Sequence, residues 1–329
     1  MNPTRKDSMQ QNVQMYTISN EECGQRLDNF LIKILKGVPK SHIYRIVRGG
    51  EVRVNKGRVK IDYRLETDDV IRIPPIRTAQ KDLSKEALIP AGQFPIIFED
   101  DDLLVINKPC GTAVHGGSGV SFGVIEQLRK NRPEARYLEL VHRLDRETSG
   151  LLMIAKKRSA LVKLHAMIRA DVPEKSYTAL GLGVWPAHNG QPVSHVKAPL
   201  LRFHLPNGER MVQVNENDGI YAHSIFTVEQ QYQDCTLVDV LLKTGRTHQI
   251  RVHMQHLGCP IAGDPKYGDF AANRALSSKG LKRMFLHARR LKLPHPSSGE
   301  MMTFIAPLPP ELSHYLQILG QARPALQKS

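Results

Sequence analysis

The amino-acid sequence predicts an α+β protein of two domains, the larger of which contains a mixed, largely antiparallel β-sheet flanked by helices and loops. After residue 94, apolar segments typical of strands follow one another with few helices between them. The strand-like segments read LLVIN, LLMIA, SYTAL, TLVDVLL, MFLHA and MTFIA; the helix-like ones read FGVIEQLRK, SALVKLHAMIR and THQIRVHMQHLG. A regular alternation of strands and helices would instead predict a doubly wound parallel sheet.

The two domains are separated by a proline-rich segment. Residues 74–95, PPIRTAQKDLSKEALIPAGQFP, contain four prolines and no apolar period, which is typical of a linker. We therefore predict a flexible N-terminus at residues 1–15, a small domain at 16–77, a linker at 78–93 and a large domain at 94–325.

The small domain is predicted to contain two short helices and a few strands. Apolar residues recur at helical spacing at Leu27, Phe30, Leu31, Ile34 and Leu35. Ser41 is predicted to cap a second helix, SHIYRIVR, which Gly49 and Gly50 end. The strand-like segments VRVN and VIRI follow, with a turn after the first.

The composition favours a polyanionic partner. Lys and Arg number 46 against 32 Asp and Glu, which gives a net charge of +14 and a pI near 9.7. A membrane surface is the competing interpretation, but the sequence has no apolar run of about 18 residues and no apolar N-terminal segment. We expect no membrane partner and a location in the cytoplasm.

The four cysteines are predicted to be free thiols. Cys23, Cys110, Cys235 and Cys259 are scattered and form no CxxC pair, so neither a disulfide framework nor a thiolate zinc site is indicated.

The basic residues concentrate in two stretches. Between residues 33 and 60 there are nine Lys or Arg and one acid, Glu51, a density typical of a surface that follows a phosphate backbone, although a solvated basic face is the alternative. Tyr44 and Tyr63 are the only nearby aromatics, which favours contact with the backbone of structured RNA over reading of single-stranded bases. A second run, residues 279–292, has six basic residues and no acid. The candidate RNA-binding residues are Lys40, Arg45, Arg48, Arg53, Lys56, Arg58, Lys60, Arg289 and Arg290.

Two other kinds of chemistry are weakly indicated. The segment GVSFG at residues 119–123 fits a serine-hydrolase elbow with Ser121 as nucleophile, but no strand immediately precedes it. His248, His253 and His256 lie close together, but no adjoining carboxylate completes a metal site, so no metal is predicted.

Asp145 is the central candidate for a reactive group. It lies in VHRLDRETSG, a predicted loop before the strand LLMIA, and is either an ion-pair partner of Arg143 or Arg146 or a catalytic carboxylate. The segment KTGRTHQIRVHMQHLG is predicted to start a helix capped by Thr247, with Arg251 one turn in. Such an arginine can reach a carboxylate bidentately and keep it ionised.

Two resemblances connect these motifs. RLDNFLIKIL, VPKSHIYRIVRGGEVRVN and LETDDVIRI resemble the S4 RNA-binding module over residues 16–77. HRLDRETSG, EKSYTAL, KTGRTHQIRVH and GDPKYG, in that order, resemble the RluA-type pseudouridine synthases. This second similarity extends over essentially the whole chain.

The resemblance implies an RNA-modifying isomerase and assigns roles to four residues. Asp145 is implied to be the catalytic aspartate, Tyr177 to pack under the target uracil, Arg251 to pair with the aspartate, and Arg143 to occupy the place of the flipped base. No cofactor is expected, because isomerising uridine involves no oxidation or hydrolysis. Whether Asp145 attacks C1′ or C6 or removes a sugar proton stays open.

The implied partner is 23S ribosomal RNA of the large subunit, bound by a monomer. A non-catalytic S4-type RNA-binding or ribosome-assembly factor is the alternative, as is the same chemistry on other rRNA or tRNA uridines.

Overall fold

A computed structural model of the chain describes residues 12–76, 90, 92–116, 122–186 and 193–321. The chain forms two compact units, Met1–Ile89 and Pro90–Ser329. Most of the predicted linker, and Ser121 of the possible hydrolase elbow, lie outside the described residues.

The N-terminal unit packs two helices on a small antiparallel sheet with strand order β1-β3-β2. Its elements are β1 (Gln14–Thr17), α1 (Leu27–Ile34), α2 (Lys40–Arg48), β2 (Arg53–Val54) and β3 (Val70–Ile73). The predicted stripe on α1 faces the core, where Leu27, Phe30 and Leu31 are fully buried. Strand β1 begins at Gln14, inside the segment predicted to be flexible.

The start of α2 differs from the prediction. Pro39 occupies the N-cap position with φ −58°, and no side chain caps the helix. Ser41 lies within the first turn, where its hydroxyl cannot act as the N-cap, so the predicted role of Ser41 is wrong. The proline, whose φ is fixed by its ring, sets the entry of the chain into the helix.

The C-terminal unit is built on a ten-stranded mixed sheet, as the sequence predicted. Its main path runs β4-β5-β7-β14-β8-β13-β12-β9, with β15 paired to β14 and β6 paired to β7. Among the strands of the described residues, β7 and β14 are the pair that runs parallel. The strands are β4 (Ile96–Glu99), β5 (Leu103–Lys108), β6 (Glu139–Leu140), β7 (Ser149–Ala155), β8 (Glu174–Leu182), β9 (Val193–Val196), β12 (Ser224–Gln231), β13 (Cys235–Leu242), β14 (Leu286–Pro294) and β15 (Met301–Ile305), and β10 (Leu200–His204) with β11 (Arg210–Val214) forms a separate hairpin.

Five helices accompany this sheet in the described part of the unit. They are α3 (Val124–Asn131), α4 (Arg158–Arg169), α5 (Gln249–His256), α6 (Phe270–Ser278) and α7 (Pro310–Gln321). Helix α5 begins directly after the loop that follows β13, so the arginine on its first turn lies near the end of a central strand.

A single glycine allows the central strands to meet. Gly150 on β7 has φ 113°, and a Cβ atom there would lie 2.3 Å from the carbonyl oxygen of Ala288 on β14. Only glycine combines this backbone conformation with so close an approach. The start of β7, immediately after the loop that carries Asp145, is thereby fixed against the middle of the sheet.

Candidate active site

Asp145 lies on the short loop between β6 and β7. The Thr148 N–H donates to the Asp145 carbonyl oxygen at 3.1 Å, which closes a turn within the loop. The Arg146 carbonyl oxygen accepts from the Gly111 N–H at 2.9 Å and from Lys108 Nζ at 3.1 Å. The loop is therefore anchored from a second segment of the chain.

Lys108 is the buried side chain that makes this anchor. It is fully buried at the end of β5, and its ammonium group also donates to the carbonyl oxygens of Pro109 at 2.9 Å and Thr112 at 2.8 Å. Burial lowers the pKa of Lys108 to about 8. Three carbonyl acceptors satisfy the three donors of the charged amine and hold the Asp145 loop in place.

Arg251 joins two carboxylates. Its side chain is 6% exposed, and Nη1 donates to Asp145 Oδ2 at 3.0 Å. Its Nε and Nη2 donate to Asp264 Oδ2 and Oδ1, each at 2.8 Å. The guanidinium thus binds Asp264 bidentately and presents its remaining side to Asp145.

Asp264 is completely buried and fully hydrogen-bonded. Besides Arg251, its Oδ1 accepts from the N–H groups of Lys266 at 2.8 Å and Tyr267 at 3.1 Å. Burial by itself raises the pKa of Asp264, but the hydrogen bonds and charge of Arg251 outweigh it and the net shift is downward. Asp264 therefore remains a carboxylate and fixes the orientation of Arg251.

His248 faces the second oxygen of Asp145. It has a left-handed backbone, φ 55°, and occupies the N-cap position of α5, so the predicted cap at Thr247 is wrong. Its Nε2 lies 3.8 Å from Asp145 Oδ1, and its Nδ1 lies 2.7 Å from the Tyr267 hydroxyl. Because the Val212 N–H already donates to the Tyr267 oxygen at 3.0 Å, the hydroxyl proton is free to point at Nδ1. With the hydroxyl donating to Nδ1, the neutral imidazole carries its proton on Nε2, toward the carboxylate.

Tyr177 closes one wall of the cavity at Asp145. It lies on β8, between Val240 of β13 and Ala288 of β14, and is 8% exposed. Burial, followed by the charge of Asp145, raises the pKa of its hydroxyl, which therefore stays protonated. Leu242, Ile250 and Leu286 also line this cavity, so one side of it is apolar.

The arginines beside Asp145 in the sequence do not neutralise it. Arg143 is exposed and lines both the cavity and an adjoining open cleft of about 930 Å³. Arg146 donates from Nε to Glu147 Oε1 at 2.7 Å. The structure thus brings Asp145, Tyr177, Arg251 and Arg143 together at one cavity, with Arg251 and not a neighbour in sequence as the ion-pair partner of Asp145.

The predicted RNA-binding residues fall on both units. All seven in the N-terminal unit are exposed: Lys40, Arg45, Arg48, Arg53, Lys56, Arg58 and Lys60. Arg289 and Arg290 are exposed on β14, a strand inside the sheet, where Arg289 lies 3.5 Å from Glu229 and Arg290 donates to Ser176 Oγ at 3.3 Å. Only the end of the run 279–292, from Leu286 onward, is part of the sheet, and the nucleic-acid role of the run stays a prediction.

The described residues contain no group of three or more His, Cys, Asp or Glu side chains that could hold a metal ion. His253 is buried, with Nδ1 3.0 Å from Ser224 Oγ and Nε2 3.0 Å from the Ala198 carbonyl oxygen. The same described ranges contain no helix long and apolar enough to span a membrane.

Four residues of the site were missed or given another reading from sequence. Asp264 and Tyr267 belong to GDPKYG, a motif that was visible but had no assigned task. His248 was considered only as a metal ligand, and Lys108 gave no signal beyond a basic residue at the end of an apolar strand. The pairing of these residues with Asp145, Arg251 and the loop between β6 and β7 depends on distant parts of the chain.

Asp145 lines both a partly apolar cavity and the open cleft beside it. Comparisons with known proteins identify the class to which this chain belongs. The RNA pseudouridylate synthase model matches residues 102–256, and the S4 domain model matches residues 25–71. The chain is 52% identical to the ribosomal large subunit pseudouridine synthase C of Haemophilus ducreyi, over 97% of this chain and 99% of that protein. It is 53% identical to the protein of that name from Escherichia coli, over 94% and 98%.

A solved structure agrees with this result. The human RNA pseudouridylate synthase domain containing 4 superimposes with a TM-score of 0.57 at 26% identity, covering 72% of this chain and 97% of that one. The chain therefore belongs to the RNA pseudouridylate synthases, which are isomerases, and carries an N-terminal S4 domain. The predictions of enzyme class, of the S4 domain and of the α+β fold are confirmed.

Proposed function

We propose that this enzyme converts uridines of large-subunit ribosomal RNA, the 23S RNA, to pseudouridine with Asp145 as the catalytic group. The relatives named above are ribosomal large subunit enzymes and align with nearly the whole chain. The observation that carries the proposal is the environment of Asp145: one oxygen is held by Arg251 and the other is directed to a cavity lined by Tyr177.

The reaction needs a carboxylate but no redox group. The N1–C1′ bond breaks, the uracil rotates, C5 bonds to C1′, and the C5 proton is released. A carboxylate can attack C1′ or C6, or take a proton from the sugar, and each route begins with an ionised Asp145. Arg251 holds the carboxylate in position, because it donates a charge-assisted hydrogen bond to Oδ2.

Tyr177 and Arg143 are assigned to the substrate. A uridine can enter this cavity only after it leaves the base stack. For a paired uridine this step costs on the order of a few kcal/mol. The buried ring of Tyr177 offers an apolar surface for the uracil, and exposed Arg143 at the mouth can fill the vacated place in the stack and meet the phosphates.

The test is release of tritium from C5-labelled uridine in a large-subunit rRNA transcript. Asp145→Ala and Asp145→Asn should release none, because neither side chain provides a carboxylate. Both variants should bind the transcript as the unmodified enzyme does. Undiminished release by Asp145→Ala would show that Asp145 is not the catalytic group.

The same assay separates the enzyme from a non-catalytic S4-type assembly factor, which would bind the transcript and release no tritium. Mapping pseudouridines in ribosomal and transfer RNA from a knockout strain would identify the sites, and modification lost only in transfer RNA would contradict the proposed substrate. We also infer that the enzyme acts as a monomer in the cytoplasm. Sedimentation of the full chain as a dimer would contradict the first of these inferences.

The S4 domain is assigned to RNA docking. Arg45 and Arg48 lie one helical turn apart on α2 and are both exposed. Replacing both by Gln should weaken RNA binding and reduce the slope of log affinity against log salt by about 1 for each lost phosphate contact. Arg274→Gln, an exposed arginine on α6, is the matched control and should leave the slope unchanged. An unchanged slope in the Arg45/Arg48 variant would show that α2 of the S4 domain does not contact the RNA phosphates.

A further inference from the structure

Three aromatic rings lie side by side on the surface beside the active site. Tyr221 is 53% exposed, and its ring centroid lies 6.4 Å from that of His223, just before β12. The His223 ring lies 5.4 Å from that of His195 on β9, with Nε2 of the first 3.2 Å from Nδ1 of the second. None of these residues has a role in the proposed reaction. We call the three side chains the aromatic platform.

The backbone under the platform is held firmly. The His223 N–H donates to Thr244 Oγ1 at 2.9 Å, and the His223 carbonyl oxygen accepts from the Lys243 N–H at 3.1 Å. Arg246 Nε donates to the Tyr221 carbonyl oxygen at 3.0 Å. Because the backbone is already fixed, only the side-chain torsions of these rings remain to be ordered when a planar ligand stacks on them.

The surroundings of the platform are cationic. The pKa of His223 is lowered by partial burial and then by the positive charges of His195, Lys197 and Lys243. The segments that form this surface, residues 193–198, 220–225 and 243–248, contain no Asp or Glu. Aromatic rings among cations form the pattern with which proteins bind single-stranded nucleic acid, the rings stacking on bases and the cations meeting phosphates.

The platform is continuous with the active site through Arg246. Its side chain lines the cavity that also contains Asp145 and Tyr177, while its Nε is fixed by the Tyr221 carbonyl. An RNA strand with a uridine in the cavity therefore has its neighbouring nucleotides within reach of the platform.

We propose that Tyr221, His223 and His195 form a stacking site for an unpaired nucleotide that adjoins the target uridine, with Lys197, Lys243 and Arg246 at its phosphates. The ligand is a single-stranded segment of the RNA substrate. This inference rests on the proposed function and adds a second contact, outside the cavity, that favours uridines with an unpaired neighbour.

The first experiment measures steady-state tritium release by the full-length enzyme on a large-subunit rRNA transcript. Tyr221→Ala should raise KM by about fivefold or more, because the loss of one stacking ring costs at least about 1 kcal/mol per base. Its kcat should change little, because Tyr221 does not line the cavity. Tyr221→Trp keeps a stacking ring and should restore KM, whereas Tyr221→Leu keeps apolar area without the ring and should not.

Phe270→Ala is the matched control. Phe270 is 58% exposed at the start of α6 in the same unit, and its loss should leave KM unchanged. Equal KM values for Tyr221→Ala, Phe270→Ala and the unmodified enzyme would overturn the proposal. A lower kcat at unchanged KM in Tyr221→Ala would overturn it as well, because a stacking contact outside the cavity acts on binding.

A second experiment locates the contact. In a transcript containing 4-thiouridine, irradiation should cross-link RNA to the peptide that contains residues 220–225, and Tyr221→Ala should lose this cross-link. Cross-links confined to other peptides would contradict the platform. If the unmodified enzyme released no tritium from any transcript, the proposed function itself would fail; release with no effect at Tyr221 would refute only the platform.

Discussion

Two ion clusters in the C-terminal unit are built from similar parts and differ in what they leave unpaired. In one, Arg251 lies between Asp264 and Asp145, and the side chains of Arg251 and Asp264 are 6% and 0% exposed. In the other, Glu99 lies between Arg132 and Lys156, with side chains 22–25% exposed. The first has one cation for two acids, and the second has two cations for one acid.

The difference decides which acid can react. Both Glu99 oxygens are occupied, because Arg132 binds them bidentately and Lys156 Nζ lies 2.8 Å from Oε1. Arg251 donates two hydrogen bonds to Asp264 and one to Asp145. The second oxygen of Asp145 therefore remains for the cavity, and His248 Nε2 lies 3.8 Å from it. Because Asp145 shares Arg251 with Asp264, it keeps an oxygen that is not paired with this cation.

Removing the shared cation should have the largest effect. Arg251→Met leaves Asp264 buried without its charge partner, which should lower the free energy of unfolding by about 3–5 kcal/mol. Turnover should fall roughly 100- to 1,000-fold, because Asp145 also loses its charged donor. Urea unfolding and tritium release measure the two effects. If Arg251→Met folded and kept full activity, the ion pair between Arg251 and Asp145 would not be needed for the reaction.

Removing the charge of Asp264, the second partner of Arg251, should have a smaller effect on turnover. Asp264→Asn keeps the size of the side chain but removes the charge that fixes the orientation of Arg251. Arg251 can then turn further toward Asp145 and occupy the oxygen that the reaction needs, so kcat should fall roughly 10- to 100-fold. KM should change little, because Asp264 is fully buried and does not line the cavity. Rates should be normalised to the folded fraction. If KM rose and kcat held, Asp264 would belong to RNA binding and not to the orientation of Arg251.

The smallest effect on activity is expected at the second cluster, where Glu99→Gln should leave kcat and KM unchanged. The hydrogen bond from Arg132 is the main cause that lowers the pKa of Glu99 from 4.5 to about 2. An acid with a lowered folded-state pKa stabilises the protein above its unfolded pKa, and that contribution disappears as the pH falls through the folded value.

The stability difference between the unmodified enzyme and Glu99→Gln should therefore be on the order of 1–2 kcal/mol at pH 7, discounted for partial exposure. It should shrink from pH 4.5 toward pH 2. Urea unfolding at several pH values measures it. A difference independent of pH would mean that Glu99 contributes through packing and not through charge.

The sequence by itself determined most of the local elements and singled out Asp145 as the candidate for the reactive acid. The apolar period at Leu27, Phe30 and Leu31 predicts α1, because a helix repeats its face every three to four residues. Strand-like segments that follow one another predict the mixed sheet. Asp145 and Arg251 are found because their residue types and neighbouring motifs are visible in single stretches of chain.

Local rules failed where another part of the chain decided the outcome. Ser41 and Thr247 have good capping chemistry, but Pro39 sets the first helix start and the left-handed His248 sets the second. His248 adopts this conformation at the point where its ring lies between Tyr267 and Asp145.

Only the tertiary structure decided how Asp145 is held. The residues that support it, Lys108, Arg251 and Asp264, come from three separate segments. The resemblance implied the pairing of Arg251 with Asp145, but no sequence feature indicated the contacts made by Lys108 and Asp264. A hydrogen bond depends on distances of about 3 Å between groups that chain folding brings together, whereas a sequence motif reports only residue type and order. The charge of each group can be read from the sequence. Packing determines how Arg251 is divided between Asp264 and Asp145, and therefore which of the two acids keeps an oxygen toward the cavity.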